Sequence, residues 1–160
     1  MVLAIHFAAR STPPPFWIFP IIFFGVWFFV AFLVGRVSGW NTLADCYRAQ
    51  QPFFGTQFRM QGAQLRYGSN YNNCLTFGSS AEGMYMVPMV LFRAFHAPLL
   101  IPWHEITATP INLWRFWNFI EIRCQRAPAI PVRIPEKLAK KLAEASAGQF
   151  RYAAAVTQKF

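Results

Sequence analysis

From Phe16 to Gly35 the chain reads FWIFPIIFFGVWFFVAFLVG, twenty consecutive positions without a charged side chain. At 1.5 Å of rise per residue such a run spans about 30 Å, the thickness of a bilayer's hydrocarbon layer. A water-soluble fold would have to cover this helix with protein on every side, which a chain of 160 residues can scarcely do. The pattern predicts a transmembrane helix over 16–36, with an extramembrane segment, 1–15, ahead of it. Pro20 falls in the first turns behind Pro13, Pro14 and Pro15, where a missing backbone N–H costs little. The run is longer than the 7–15 residues typical of a signal-peptide core. Val34 to Ser38 offers no clean small-residue cleavage site, so the segment reads as a retained anchor.

Past the apolar run the period changes twice. Over 37–52, Leu43, Cys46 and Tyr47 recur at helical spacing while Asp45, Arg48 and Gln50 fall elsewhere. That describes an amphipathic connector, expected along the membrane surface. From Phe53 onward, short apolar and aromatic runs are punctuated by Gly, Asn, Ser and Pro, the signature of strands and turns. The expected strands are 56–65, 74–77, 83–87, 99–106, 111–114, 119–124 and 132–134. Gly68-Ser69-Asn70, Asn72-Asn73 and Ser79 to Gly83 supply turn chemistry between them. Pro135-Glu136 then opens a helix with proline at its first position and a carboxylate near the positive end of the dipole. Its apolar stripe is Ile134, Leu138, Leu142 and Ala145, opposite Lys137, Lys140, Lys141 and Glu144. One domain over 53–148 and a tail over 149–160 complete the layout.

Several strands followed by one closing helix give an α+β class: an N-terminal transmembrane helix, then a small β-barrel or roll closed by a C-terminal helix. The segment GMYMVPMVLFRAFHAPLLIPWHEI, Gly83 to Ile106, carries a G-M-Y strand, a hydrophobic connection and an IPWHEI element. In this it resembles the bacterial PH-like and GRAM-like domains, and the similarity extends from about Phe58 to Leu142. The resemblance implies a PH-like fold in a bacterial membrane protein and no particular activity.

Charge refines the topology. The formal net charge is +9, and Arg10 alone among the basic residues precedes the apolar run. Basic residues favour the cytoplasmic side, so the expected arrangement is single-pass in the inner or cytoplasmic membrane, amino terminus outside and domain inside. Cys46, Cys74 and Cys124 are odd in number and widely separated, which suggests no disulfide framework. For a chain tethered to a bilayer, the anionic leaflet is a nearer partner for the basic residues than nucleic acid.

Catalytic and metal-binding patterns are absent from the sequence. His96 and His104 are eight residues apart with Glu105 beside the second, and neither a C-x-x-C nor an H-E-x-x-H spacing occurs. No G-x-S-x-G elbow or phosphate-cradling glycine loop is present. The expectation is a non-catalytic protein with no cofactor and no metal.

What remains are contact residues. The anchor offers Trp17, Phe24, Trp27 and Phe28 as a packing surface, and Arg36 with Trp40 past its end fits headgroup depth. Val90, Leu91 and Phe92 form an apolar loop edged by Arg93, and Trp114 and Trp117 bracket a cation in LWRFW. Together they predict an accessory or assembly subunit of a larger membrane complex, for which a bioenergetic complex is one host, whose partners are lipid and other integral membrane subunits. A membrane-anchored lipid-binding module is the alternative.

Overall fold

The computed structural model describes residues 15–113 and 117–152. Helix α1 runs Ile18–Val37, within two residues of the expected span. Pro20 lies in its first turn, where the helix has no intrahelical use for a proline's missing donor. The helix is long and apolar enough to cross a membrane, with a mean hydropathy of 2.5 over an 18-residue window. Gly39, at φ +82°, then turns the chain into α2, Trp40–Tyr47.

Seven strands follow: β1 Thr56–Gln64, β2 Asn70–Ser79, β3 Gly83–Pro88, β4 Leu99–Pro102, β5 Ile106–Leu113, β6 Trp117–Cys124 and β7 Ala127–Pro135. They form one antiparallel sheet in the order β4-β3-β2-β1-β7-β6-β5. Two meanders, β1 to β4 and β5 to β7, meet where Gln64 of β1 pairs with Arg133 of β7. Arg133 Nη1 reinforces this seam by donating to Gln64 Oε1 at 3.2 Å. Helix α3, Glu136–Ala145, packs back on β2, β6 and β7.

The α+β class and the closing helix agree with the sequence, but the barrel does not. The sheet is open, with β4 and β5 as its edges. The single strand expected over 99–106 is two strands parted by a 3-10 turn, Trp103–Glu105. Pro102 lacks a ladder donor, and Trp103 is buried with its indole N–H donating to Ser80 O at 2.8 Å. The chain is thereby redirected, and β5 leaves the edge of β4 to pair with β6.

A second difference concerns Asn72-Asn73, which sits inside β2 rather than in a turn. Asn73 takes its positive φ of 51° between Leu75 and Tyr71, at one register shift of the β1–β2 pair, and Met60 has φ 55° at the adjacent shift, between Phe58 and Gln61. Paired irregularities of this kind bend a strand without ending it.

One hydrophobic core unites sheet and helices. It holds Leu75 and Phe77 of β2, Ile120 and Ile122 of β6, and Leu138 and Leu142 of α3. It also holds Trp40, Leu43 and Tyr47 of α2. The apolar face of the connector helix is therefore covered by β4 and β7 and not by a membrane surface.

Candidate functional site at the junction of the apolar helix and the sheet

Most of α1 is bare. By helical spacing, Ile22, Val26, Phe29 and Leu33 share one face, and each is about half exposed or more. Trp17 and Phe24 are also exposed, on the opposite stripe near the start of the helix. That stripe continues through Trp27, Phe28, Ala31, Phe32 and Gly35, and there it meets a 3-10 segment, Val90–Phe95. Phe92 lies over Trp27 with ring centroids 5.3 Å apart. Phe95 meets Phe28 at 6.1 Å and Phe32 at 5.7 Å, both edge to face. Aromatic pairs at such angles add to the area they bury.

The close approach depends on glycine. A Cβ on Gly35 would stand 3.1 Å from His96 Cε1 and 3.3 Å from the Phe95 carbonyl. Ala31 and Gly35 are the buried residues of α1, and they let the turn lie against the helix.

Beneath this seam is a buried polar chain. Ser38 Oγ and Tyr71 Oη are 2.9 Å apart, and Tyr71 Oη lies 3.0 Å from His96 Nε2. His96 Nδ1 is 3.1 Å from the Phe92 carbonyl, which can only accept. Nδ1 therefore carries the proton of the neutral ring, and Nε2 accepts from Tyr71. Tyr71 in turn accepts from Ser38, and Ser38 accepts from the Trp40 backbone N–H at 3.4 Å. Every member has a partner, and the chain links the end of α1, strand β2 and the 3-10 segment. Burial holds the His96 pKa below its ordinary value and pushes Tyr71 up to about 12. The sequence gives no local sign of this chain: Tyr71 sits among turn-forming asparagines, and its partners are 33 and 25 positions away.

At the same end of α1, Arg36, Arg48 and Arg93 line a cleft of about 690 Å³ whose apolar wall is Phe32 and Phe95. Asp45 is its acidic lining residue. Among the described residues none of the three arginines forms an ion pair with a carboxylate. Arg36 stacks over Phe32 at 5.0 Å, and Arg93 Nε donates to the Pro88 carbonyl at 3.4 Å.

The predicted contact residues divide accordingly. Val90 and Leu91 form an exposed tip, 76% and 56% accessible. Phe92 and Trp27 meet each other and Phe28 meets Phe95, while Phe28 stays 45% exposed. Trp40 is a correction: it is fully buried, and its indole N–H donates to the Ala97 carbonyl at 2.9 Å. Gly39 turns the ring back under the sheet instead of leaving it at headgroup depth. Trp114 lies outside the described residues, and Trp117 is the first residue of β6, paired with Leu113.

Glu105 is held at the far side of α2. Tyr47 Oη donates to its Oε2 at 2.6 Å, and Arg126 Nε donates to the same oxygen at 2.9 Å. These two hydrogen bonds, Tyr47's first, keep its pKa below the ordinary carboxylate value. A carboxylate so occupied makes a poor general base. His104 Nε2 is 3.9 Å from Glu105 Oε1 and largely exposed, whereas His96 belongs to the buried chain. No group of three or more His, Cys, Asp or Glu among the described residues could hold a metal ion. The cysteines are all free.

No known protein family matches this chain, and neither does any curated protein or solved structure.

Proposed function

We propose that this protein is a single-span, non-catalytic accessory or assembly subunit of a larger membrane complex, carrying a PH-like domain. The observation that supports the reading best is the two-sided anchor. One stripe of α1 is fixed to the domain by Trp27, Phe28 and Phe32. The other, Ile22, Val26, Phe29 and Leu33, is apolar and uncovered. An anchor serving only as a tether gains nothing from being clamped to its domain; one that positions the domain against neighbouring helices does. Two meanders of four and three strands closed by a helix favour the PH-like reading, although the sheet is open. With the basic residues behind the span, the domain belongs on the cytoplasmic side.

The test is purification of the full chain in mild detergent with quantification of co-purifying integral membrane chains. A fixed stoichiometry, lost in Phe29→Ala/Leu33→Ala while that variant stays in the membrane fraction, is the expected result. A solitary monomer under every mild condition overturns the proposal.

A further inference from the structure

We propose that the cleft between Arg36, Arg48 and Arg93 binds the phosphate of an anionic phospholipid, whose acyl chain runs along Phe32 and Phe95. The proposal rests on the anchoring of α1 in a bilayer and goes beyond it by naming a ligand.

The position of the cleft comes first. Arg36 lies in the last turn of α1, after its apolar run, which is headgroup depth for a helix that spans. Charge comes second. Three guanidinium groups arrive from three elements: α1, the C-cap of α2 and the Val90–Phe95 segment. Asp45 offsets one of them and leaves an excess of positive charge that no carboxylate among the described residues pairs. Arginine donors suit phosphate oxygens in geometry as well as charge.

The third argument is continuity with the apolar surface. Trp27 is about 15 Å back along α1 from Val37, and Phe92 rests on it. The Val90–Phe95 segment therefore rises beside the helix into the hydrocarbon, with Val90 and Leu91 outermost. Arg93, two positions after Leu91, lines the cleft, as a long basic side chain does when its stem stays in the apolar layer and its head returns to the surface. A lipid phosphate in the cleft would have its chains beside Phe32 and Phe95, and a soluble anion would leave that wall unused.

The experiment uses the full chain in a mild nonionic detergent. It is titrated in parallel with phosphatidylglycerol, phosphatidylcholine and inorganic phosphate, reading the thermal midpoint and the bound lipid by native mass spectrometry. Phosphatidylglycerol should bind and raise the midpoint, and phosphatidylcholine should do neither. At about fivefold per basic residue near an anionic surface, Arg36→Gln/Arg93→Gln should weaken binding about thirtyfold. Lys137→Gln/Arg151→Gln, which removes equal charge near α3, should bind as the parent does. If the first variant does not melt cooperatively, Arg48→Gln alone should still lose about fivefold. Equal binding of both lipids, or equal loss in both double variants, overturns the inference. Stabilisation by inorganic phosphate matching that by phosphatidylglycerol overturns the lipid as the source. Membrane fractionation of the parent chain separates these failures from failure of the anchor: a chain that pellets with membranes but retains no anionic lipid refutes the cleft and leaves the anchor standing.

Discussion

Tyr71 joins the two halves of the buried polar chain, and its loss should be costly out of proportion to one hydroxyl. In Tyr71→Phe the Ser38 hydroxyl and His96 Nε2 lose their shared partner inside the protein. An orphaned buried polar group costs about 1–3 kcal/mol, so the chemical-denaturation midpoint should fall with the slope of the transition unchanged. His96 adds a dependence on pH. Burial lowers its folded pKa from 6.5, so the unfolded chain takes up the proton first. The stability due to neutral His96 is complete above about pH 6.5 and is lost as pH falls towards the folded value. Of the groups around it, Tyr71, pushed up to about 12 by burial, stays neutral in this range. The thermal midpoint should decline between pH 7 and pH 5. His96→Gln should melt lower at pH 7 and show a flatter profile. An unchanged slope in that variant would remove His96 as the titrating group.

At the scale of elements, the Val90–Phe95 segment is the part whose surroundings the sequence did not reveal. A nitroxide on Leu91→Cys, in a Cys46→Ser/Cys74→Ser background, should be relaxed more by oxygen than by a water-soluble nickel chelate in bilayers. The same label at Lys140 should show the reverse, and nickel preference at both positions would place the segment in water. The apolar character of this loop was plain in the sequence, as were α1 and the stripe of α3, because an unbroken run or a 3.6 period is carried by neighbouring residues. Period shows which face of an element is apolar and not what covers it. Leu43 and Tyr47 marked one side of α2 correctly, yet nothing local distinguished a sheet from a membrane as its cover. Trp40 fits an interfacial belt by its distance from Arg36 and is instead a core residue, because Gly39 reverses the chain just before it. Trp103 misled in the opposite way: an aromatic residue in an apolar run reads as strand, and its hydrogen bond to Ser80 makes it a corner. The polar chain and the arginine cleft were invisible for a related reason, since each assembles side chains from three separate elements.

For the whole molecule, the consequence is that the anchor cannot be trimmed at the point where the strands begin. A fragment starting at Phe53 lacks Trp40, Leu43 and Tyr47, all buried in the common core. Burying side chains of this size contributes about 2 kcal/mol each. Their joint loss is then about 6 kcal/mol, comparable with the entire stability of a small domain at 5–15 kcal/mol. It would also leave the faces of β4 and β7 that α2 covers open to water. Starting at Arg36 instead retains Ser38, Gly39 and α2, and gives up the aromatic contacts of Trp27, Phe28 and Phe32 with the Val90–Phe95 segment. That fragment should unfold cooperatively by circular dichroism and stay in the supernatant in the presence of mild detergent. The Phe53 fragment should show no cooperative transition and aggregate. The full chain should resist alkaline carbonate extraction from membranes, which the Arg36 fragment should not. Cooperative melting of the Phe53 fragment would mean that α2 is an ornament on a self-sufficient sheet, and the rigid link from α1 through Ser38 and Trp40 into the core would then lose its basis.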